Sequence, residues 1–426
     1  MAAVKLLSAV VDQKTSLDGM MDEEHGNPAY RALNAADRAL VRAILHSCLR
    51  QLTRIDAIFD GFLDKPLPDG ARNLRHILAV AAAQILFLDV PDHSAVDLAV
   101  EQARRDPRSA RFANLVNALL RRLGREKETV LTEASAAVPI FPAWFQQRLE
   151  EVYGPDAARG IGEACLTPAP VDLTTRSDAA GWAERLGGAV LPTGSVRLPV
   201  FEGSVTALAG FAEGAWWVQD AAAALPARLL SPPASAEVLD LCAAPGGKTA
   251  QLLECRPDLE LLALDRDAQR LARIGETLQR LGLAGARLEA ADAREPARWW
   301  DGRPFDAVLL DAPCTASGIV RRHPDIPWLR RPGDVDALVR TQAALLDALW
   351  PLVAPGGRLL YATCSIFRAE GQAQIDAFVQ RLGPPGPRID AAAPGHWLPL
   401  ADNVGDGDAG AVWHDGFFYA LLHKAA

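Results

Sequence analysis

The chain has 426 residues, of which half are hydrophobic and 23% are charged; this is the composition of a folded protein with two or three domains and excludes a largely disordered one. The formal net charge is -9, so any binding of nucleic acid depends on local basic patches and not on overall charge. Six scattered cysteines without a CxxC pair predict no metal site and no disulfide framework.

The first part of the chain, to about Leu123, predicts an all-helical domain. Apolar residues recur at helical spacing over residues 40–49 and again over 74–86, and the turn-forming residues 66–70 separate the two stretches. The apolar stretch around residues 77–90 is too short to span a bilayer. We therefore expect a buried helix here and no membrane partner.

Basic residues collect towards the end of this helical region. They form either a solvated helix face or a surface that contacts phosphates, and spacing alone slightly favours the solvated face. The residues are Arg104, Arg105, Arg108, Arg111, Arg121, Arg122, Arg125 and Lys127.

The composition and the apolar periodicity of the sequence change between about residues 138 and 233. Prolines and glycines are frequent, and short apolar runs replace the long helical periods. Residues 171–175 and 214–218 are predicted to be strands. The pattern predicts a small α+β module whose function the residues do not reveal.

Strands and helices alternate from Glu237 onward, which predicts a parallel sheet with helices on both faces, an α/β fold of the Rossmann type. In such sheets, ligands bind beyond the carboxyl ends of the strands. Polar residues that follow the strands should therefore share one edge. The predicted strands are 237–241, 259–264, 287–291, 305–310 and 357–362, with a long helix over 335–353.

The first of these strands leads into a turn of small residues, which lets a ligand approach the backbone closely. The turn ends in Gly-Lys-Thr, so a P-loop is the obvious alternative. However, a P-loop needs a glycine where Cys242 stands, and Pro245 removes a backbone donor that a phosphate would use, so we discount ATP. The candidate cofactor loop is Cys242, Ala243, Ala244, Pro245, Gly246, Gly247 and Lys248.

Three acids follow the next strands. Asp265 is placed where dinucleotide folds bind ribose hydroxyls, Asp292 could receive an adenine amino group, and Asp311 ends the fourth strand. Any one of them alone is better explained as a helix N-cap. Together on one edge, beside a glycine turn, they indicate a nucleoside ligand without phosphates, such as S-adenosylmethionine.

Two cysteines are predicted to reach the same edge. Cys314 follows the fourth strand and Cys364 follows the fifth, over the cofactor cleft, which makes both candidates for chemistry. The other three outside the cofactor loop are interpreted as inert packing residues. These are Cys48, Cys165 and Cys255.

Four motifs resemble the RNA cytosine-5 methyltransferases, and among them the bacterial enzymes that act on the small ribosomal subunit. The motifs are Asp-Leu-Cys-Ala-Ala-Pro-Gly-Gly-Lys-Thr at 240–249, Leu-Leu-Asp-Ala-Pro-Cys at 309–314, Arg-Arg-His-Pro-Asp-Ile-Pro-Trp at 321–328 and Tyr-Ala-Thr-Cys-Ser at 361–365. The helical N-terminal region is similar to the NusB-like RNA-binding domain of that group. Thr315 stands where the family more often has serine.

The resemblance implies a covalent mechanism and assigns its residues. Cys364 would attack carbon 6 of the cytosine, Cys314 would release the adduct, and Asp311 would bind the edge of the base near N3. On chemistry alone the two cysteines could be exchanged, because DNA cytosine methyltransferases carry their nucleophile in a Pro-Cys motif. Arg321, Arg322, Arg330 and Arg331 could hold the RNA backbone.

We therefore expect three domains: a NusB-like helical domain over residues 1–130, an α+β module over 138–233 and a Rossmann-like methyltransferase domain over 234–426. The expected cofactor is S-adenosylmethionine and the partner is ribosomal RNA of the small subunit. No signal peptide is evident, which favours a cytoplasmic protein, and we expect a monomer. A non-catalytic RNA-binding or antitermination protein and a methyltransferase for another substrate stay open as alternatives.

Overall fold

The computed structural model describes residues 1–199, 203–400 and 414–426. The chain divides into two compact units. The first comprises Met1–Thr167 and Val320–Pro332, and the second comprises Pro168–Ile319 and Gly333–Ala426. The three domains expected from the sequence, over residues 1–130, 138–233 and 234–426, stay a prediction.

The first unit is helical, as predicted, and its core lies around α4 and α5. The Asn34 side chain accepts a hydrogen bond from the amide of Asp37 and so caps the N-terminus of α4. Every residue of α5 from His76 to Leu86 is buried, which confirms the buried helix expected from the apolar stretch. The helices are α1 Ala2–Val11, α2 Leu17–Met20, α3 Pro28–Arg31, α4 Ala35–Phe62, α5 Arg72–Phe87, α6 Asp92–Arg105, α7 Ala113–Ala137 and α8 Ala143–Ala164.

The segment Val320–Pro332, which carries the short helix Ile326–Leu329, packs with these helices. The indole nitrogen of Trp328 donates to the carbonyl of Leu49 at 3.0 Å, and the Trp328 carbonyl accepts from Lys14 at 2.6 Å. The carboxylate of Asp325, which is 3% exposed, accepts from the amide of Leu17 at 2.8 Å. A segment distant in sequence thus completes the helical unit.

The basic residues of α6 and α7 lie at the surface of this unit. Arg104, Arg108 and Arg125 are exposed. Arg105 is paired with Glu101 at 2.5 Å, and Arg122 with Glu126 at 3.1 Å. The guanidinium groups of the exposed arginines are accessible to an anionic partner.

The second unit begins with a four-stranded antiparallel sheet in the order β2-β3-β1-β4. Two of its strands correspond to those predicted at 171–175 and 214–218. Arg197 forms two hydrogen bonds of 2.7 Å with the fully buried carboxylate of Asp172, which joins β3 to β1. The elements are β1 Asp172–Thr175, α9 Ala179–Leu186, β2 Ala189–Val190, β3 Val196–Arg197 and β4 Trp216–Val218.

The larger sheet has the predicted Rossmann-type alternation, with the main path β10-β12-β9-β8-β5-β6-β7 and β11 paired to β12. Strands β5 to β9 are parallel, and β12 pairs antiparallel with β9. The elements are α10 Leu225–Leu230, β5 Glu237–Leu241, α11 Gly247–Cys255, β6 Glu260–Asp265, α12 Ala268–Leu281, β7 Ala286–Ala290, β8 Phe305–Asp311, α13 Ile326–Leu329 (in the first unit), α14 Pro332–Leu349, β9 Val353–Thr363, α15 Gln372–Leu382, β10 Arg388–Ile389, β11 Gly395–Trp397 and β12 Phe417–His423.

The predicted boundaries around residue 353 were wrong: the fifth strand begins there and not at 357. The helix expected over 335–353 ends at Leu349, and Val353 already belongs to β9. Pro351 lacks the amide hydrogen needed to continue the helix, so the chain passes through a short 3₁₀ turn first. Within the described ranges, no helix is both long and apolar enough to cross a bilayer.

Candidate active site

The candidate cofactor loop runs from the end of β5 into α11, whose first two residues are Gly247 and Lys248. Gly246 has a φ of +99°, and a Cβ there would lie 2.9 Å from the Ile274 side chain, so the turn requires glycine. The amide of Gly246 donates to the carbonyl of Ala243 at 2.8 Å. Burial and the nearby acids raise the pKa of the Cys242 thiol to about 12, which keeps it neutral.

Asp265 connects this loop to the end of β6. Its side chain is 3% exposed, and its carboxylate accepts from the amides of Ala244 at 3.2 Å and Asp267 at 3.0 Å. A carboxylate held by two amides stays oriented towards the loop. Replacing it would disturb the loop as well as any hydroxyl bound to it.

Asp292 lies two residues beyond the end of β7 and is held by Arg294. The guanidinium donates to both carboxylate oxygens, at 2.9 and 2.5 Å. These hydrogen bonds lower the pKa of Asp292 to about 2. The carboxylate is therefore ionised and able to accept further hydrogen bonds at neutral pH.

Lys248 and Asp311 form an ion pair that the sequence did not predict. Lys248 Nζ lies 2.7 Å from Asp311 Oδ2, and the lysine side chain is only 13% exposed. Burial by itself lowers the pKa of Lys248, but the charge of Asp311, its hydrogen bond and the proximity of Cys364 raise it above its ordinary value. Lys248 is therefore a positively charged group bound to Asp311, and its charge interacts with Cys364.

Cys314 and Cys364 meet at the edge where they were expected, with their Sγ atoms 3.4 Å apart. The amide of Ala312 donates to the carbonyl of Ala362 at 2.8 Å, and that of Gly318 donates to the carbonyl of Cys364 at 3.0 Å. These backbone bonds hold the two strand ends side by side. The hydrogen bond with Cys364, and then burial, raise the pKa of Cys314 well above its usual value.

The side chains beside Cys364 are largely apolar. Cys364 packs against a cluster that includes the buried rings of Phe417 and Tyr419 and the partly buried Trp397. The Tyr419 hydroxyl donates to the carbonyl of Ala222 at 2.7 Å, so this ring has a fixed orientation. The site thus places a thiol against a fixed aromatic wall, in which Phe417 is 4% and Tyr419 1% exposed.

The remaining cysteines and arginines considered in the sequence have different surroundings. Cys48 and Cys165 are buried, as expected for packing residues. Cys255 is exposed, because it is the last residue of α11, so its assignment as a packing residue was wrong. No group of three or more His, Cys, Asp or Glu side chains that could hold a metal occurs among the residues that the structure describes. Arg321, Arg322, Arg330 and Arg331 all belong to the segment that packs in the first unit.

Two family models match the chain. Residues 227–386 match the 16S rRNA methyltransferase RsmB/F family, and residues 1–125 match the NusB family. The first match contains the cofactor loop, the three acids and both cysteines. The second confirms the helical N-terminal region as NusB-like.

Full-length relatives give the same result. The chain is 40% identical to ribosomal RNA small subunit methyltransferase B of Xanthomonas campestris, covering 100% of this chain and 97% of the relative. It is 38% identical to the protein of that name from Vibrio cholerae, covering 99% and 96%. A methyltransferase homolog protein from Pyrococcus horikoshii is 26% identical with a TM-score of 0.55, covering 67% of this chain and 95% of that structure.

Proposed function

Because the chain belongs to the family of ribosomal RNA small subunit methyltransferase B, we propose that it methylates carbon 5 of a cytosine in 16S ribosomal RNA through a covalent adduct of Cys364. The observation that carries the proposal is the pair of thiols, Cys314 and Cys364, whose Sγ atoms lie 3.4 Å apart beside the cofactor loop. Methylation of an amine or a hydroxyl needs no thiol nucleophile. A pair of thiols at the reaction site therefore favours a carbon atom of a pyrimidine as the methyl acceptor.

S-adenosylmethionine is the cofactor, and when bound it supplies an electrophilic methyl group. The residues fit such a nucleoside: a loop of small residues lies between the carboxylates of Asp265 and Asp311, and Asp292 is ionised. We assign Asp265 to the ribose hydroxyls and Asp292 to the adenine amino group. Backbone groups from Cys242 to Lys248 would hold the remainder of the cofactor.

We assign the attack on carbon 6 to Cys364. Its thiolate forms a carbon–sulfur bond, and the electron pair of the ring's 5,6 double bond becomes available at carbon 5 for the methyl group. Lys248 brings a positive charge that interacts electrostatically with Cys364, on the side of the site where the cofactor loop lies. The choice of Cys364 over Cys314 rests on the family motif Tyr-Ala-Thr-Cys-Ser at residues 361–365.

Asp311 would hold the base while the adduct forms. Its carboxylate is 27% exposed and points to the same edge as the cysteines, with one oxygen bound to Lys248 and the other available. A hydrogen bond from the exocyclic amino group beside N3 to this oxygen would hold the base in place while carbon 6 is attacked.

We assign release of the product to Cys314. The proton on carbon 5 passes to solvent water, its electron pair restores the double bond, and the carbon–sulfur bond breaks to return the Cys364 thiolate. The two sulfurs are close enough to act on neighbouring carbons of one ring. The base must leave any stack to reach this edge.

We assign part of the RNA affinity to the NusB-like region and its exposed arginines. The reaction is proposed to take place in the cytoplasm, where bacterial ribosomal RNA is made. These assignments follow from the family and from the basic surface on α6 and α7.

The test is to identify the methylated nucleoside. The full chain is incubated with S-adenosylmethionine and 16S ribosomal RNA carrying tritium at cytosine carbon 5, and the nucleosides are separated and identified by mass spectrometry. We expect 5-methylcytidine and a release of tritium equal to the methyl groups incorporated. Methyl groups on another atom would contradict the proposal, and RNA binding without methylation would favour the non-catalytic alternative.

A further inference from the structure

A fully buried carboxylate, that of Glu370, lies behind the two cysteines. Its Oε1 accepts from the backbone amide of Thr315 at 2.9 Å and from the side-chain amide of Gln342 at 3.1 Å. Its Oε2 accepts from the hydroxyls of Thr315 at 2.5 Å and Ser365 at 2.6 Å. Four hydrogen-bond donors thus converge on one side chain, which belongs to neither β8 nor β9, the strands that precede the two cysteines.

The partners of Glu370 are the immediate neighbours of the cysteines. Thr315 follows Cys314 and Ser365 follows Cys364, so one carboxylate holds the first residue after each thiol. Gln342, on α14, also donates to the carbonyl of Pro313 at 2.9 Å. The backbone is therefore fixed on both sides of Cys314.

Burying a carboxylate is costly, and the molecule compensates with hydrogen bonds rather than with a cation. Burial raises the pKa of Glu370, and the hydrogen bonds from Ser365, Thr315 and Gln342 act in the opposite direction. The hydroxyl of Tyr361 donates to the Glu370 carbonyl at 2.8 Å and fixes the turn that presents the side chain. If the side chain at this position only filled space in the core, an apolar residue of similar volume would stabilise the fold more than a buried carboxylate does.

We propose that Glu370 is a positioning residue that sets the separation of the Cys314 and Cys364 sulfurs by bridging the loops that carry them. It touches no substrate and acts through Thr315 and Ser365. The consequence for methylation rests on the proposed function: two thiols that act on adjacent carbons of one ring need a fixed separation. The effect on the sulfur positions does not depend on which base is methylated.

The test uses phenylarsine oxide on the full chain, because arsenic(III) binds two thiols only when they lie side by side. The arsenic forms a bond with each sulfur, the two thiol protons leave with its oxygen as water, and no electrons are transferred. Bridging of Cys314 and Cys364 is followed by mass spectrometry of peptides and should occur rapidly in the unmodified protein. Cys314→Ser is the negative control for the assignment.

Glu370→Asp keeps the charge but shortens the side chain, so it cannot reach both loops. We expect slower arsenic bridging and a loss in kcat of about 100-fold, as for a misplaced reacting group, with the KM for the methyl donor little changed. Glu370→Gln keeps the length, and its amide group can donate to the two hydroxyls, so it should restore most of the bridging. Rescue by glutamine and not by aspartate identifies reach, and not charge, as the property that matters.

Ser365→Ala and Thr315→Val remove two of the donors and leave Glu370 in place, so they decide the question if Glu370→Asp fails to fold. Each should slow bridging. The matched control is Gln374→Met, which alters a buried polar side chain on α15 that donates to the carbonyl of Val339 and should leave bridging unchanged.

Unchanged bridging in folded Glu370→Asp, Ser365→Ala and Thr315→Val proteins would overturn the positioning role. If bridging is slowed but the methylated nucleoside is not 5-methylcytidine, the proposed function fails and the positioning role stands.

Discussion

Lys248 Nζ lies 2.7 Å from Asp311 Oδ2, so a single ion pair joins the cofactor loop to the end of β8. The loop that would hold the cofactor and the acid that would hold the base therefore cannot move independently. Both partners are more than two-thirds buried, where an ion pair is screened less than at the surface.

We predict that Lys248→Met lowers the rate of methyl transfer by about 10²–10³-fold, comparable to removing one electrostatic group from a catalytic site. The loss has two causes: Asp311 loses its partner, and the positive charge near Cys364 disappears. Single-turnover kinetics at saturating cofactor measure this step. Lys424→Met, which removes another partly buried lysine of the same unit, is the control and should retain the rate. Equal rates in both variants would contradict the role of Lys248.

Asp265→Ala should weaken binding of S-adenosylmethionine by about 1–3 kcal/mol, because it leaves ribose hydroxyls and the Ala244 amide poorly paired. Isothermal calorimetry on the full chain measures the affinity. Asp267→Ala is the matched control: this acid caps α12 through the amides of Gln269 and Arg270. An affinity unchanged by Asp265→Ala would count against the ribose assignment.

Cys314→Ser should form the covalent adduct with RNA and release it slowly, whereas Cys364→Ser should form none. The physical reason is that a hydroxyl is a far weaker nucleophile towards carbon 6 than a thiolate. Denaturing electrophoresis with labelled RNA shows the adduct as a species of reduced mobility. The reverse pattern would exchange the roles of the two cysteines. Intact methylation with no adduct in either variant would exclude a covalent mechanism.

Replacing Arg104, Arg108 and Arg125 together by alanine should weaken RNA binding and reduce its dependence on salt, because fewer counterions are released. Filter binding over a range of salt concentrations gives both quantities. The control removes the same charge from Lys5, Arg31 and Lys65, which are exposed elsewhere in the first unit. If the two triple variants behave alike, the arginines are only a solvated face.

Much of the large sheet could be predicted because its signals are local. Strand β5 has the bounds expected from its apolar run, Asp265 and Asp311 are the last residues of β6 and β8, and Cys364 directly follows β9. In a parallel sheet these ends share one edge, so Cys314 and Cys364 could be placed at the same edge from the sequence, and their contact follows from the adjacency of β8 and β9.

Other features are not local and could not be predicted. A short apolar run looks the same in either direction, so the antiparallel pairing of β12 with β9 was not foreseen. Glu370 is a charged residue that would ordinarily be placed at the surface, and only the assembled fold brings Thr315, Gln342 and Ser365 around it. The pairing of Lys248 with Asp311 has the same origin, because 63 residues separate them.

The segment Val320–Pro332 makes the helical unit discontinuous along the gene as well as along the chain. Trp328 and Leu329 pack against the core of that unit, and Trp328 donates to Leu49. A cut after Thr167 would therefore remove part of the core that it was meant to isolate. The NusB-like region is therefore not an independent domain in sequence. Recombination between relatives, or transfer of this region to another enzyme, has to include both Met1–Thr167 and Val320–Pro332 to preserve the helical unit.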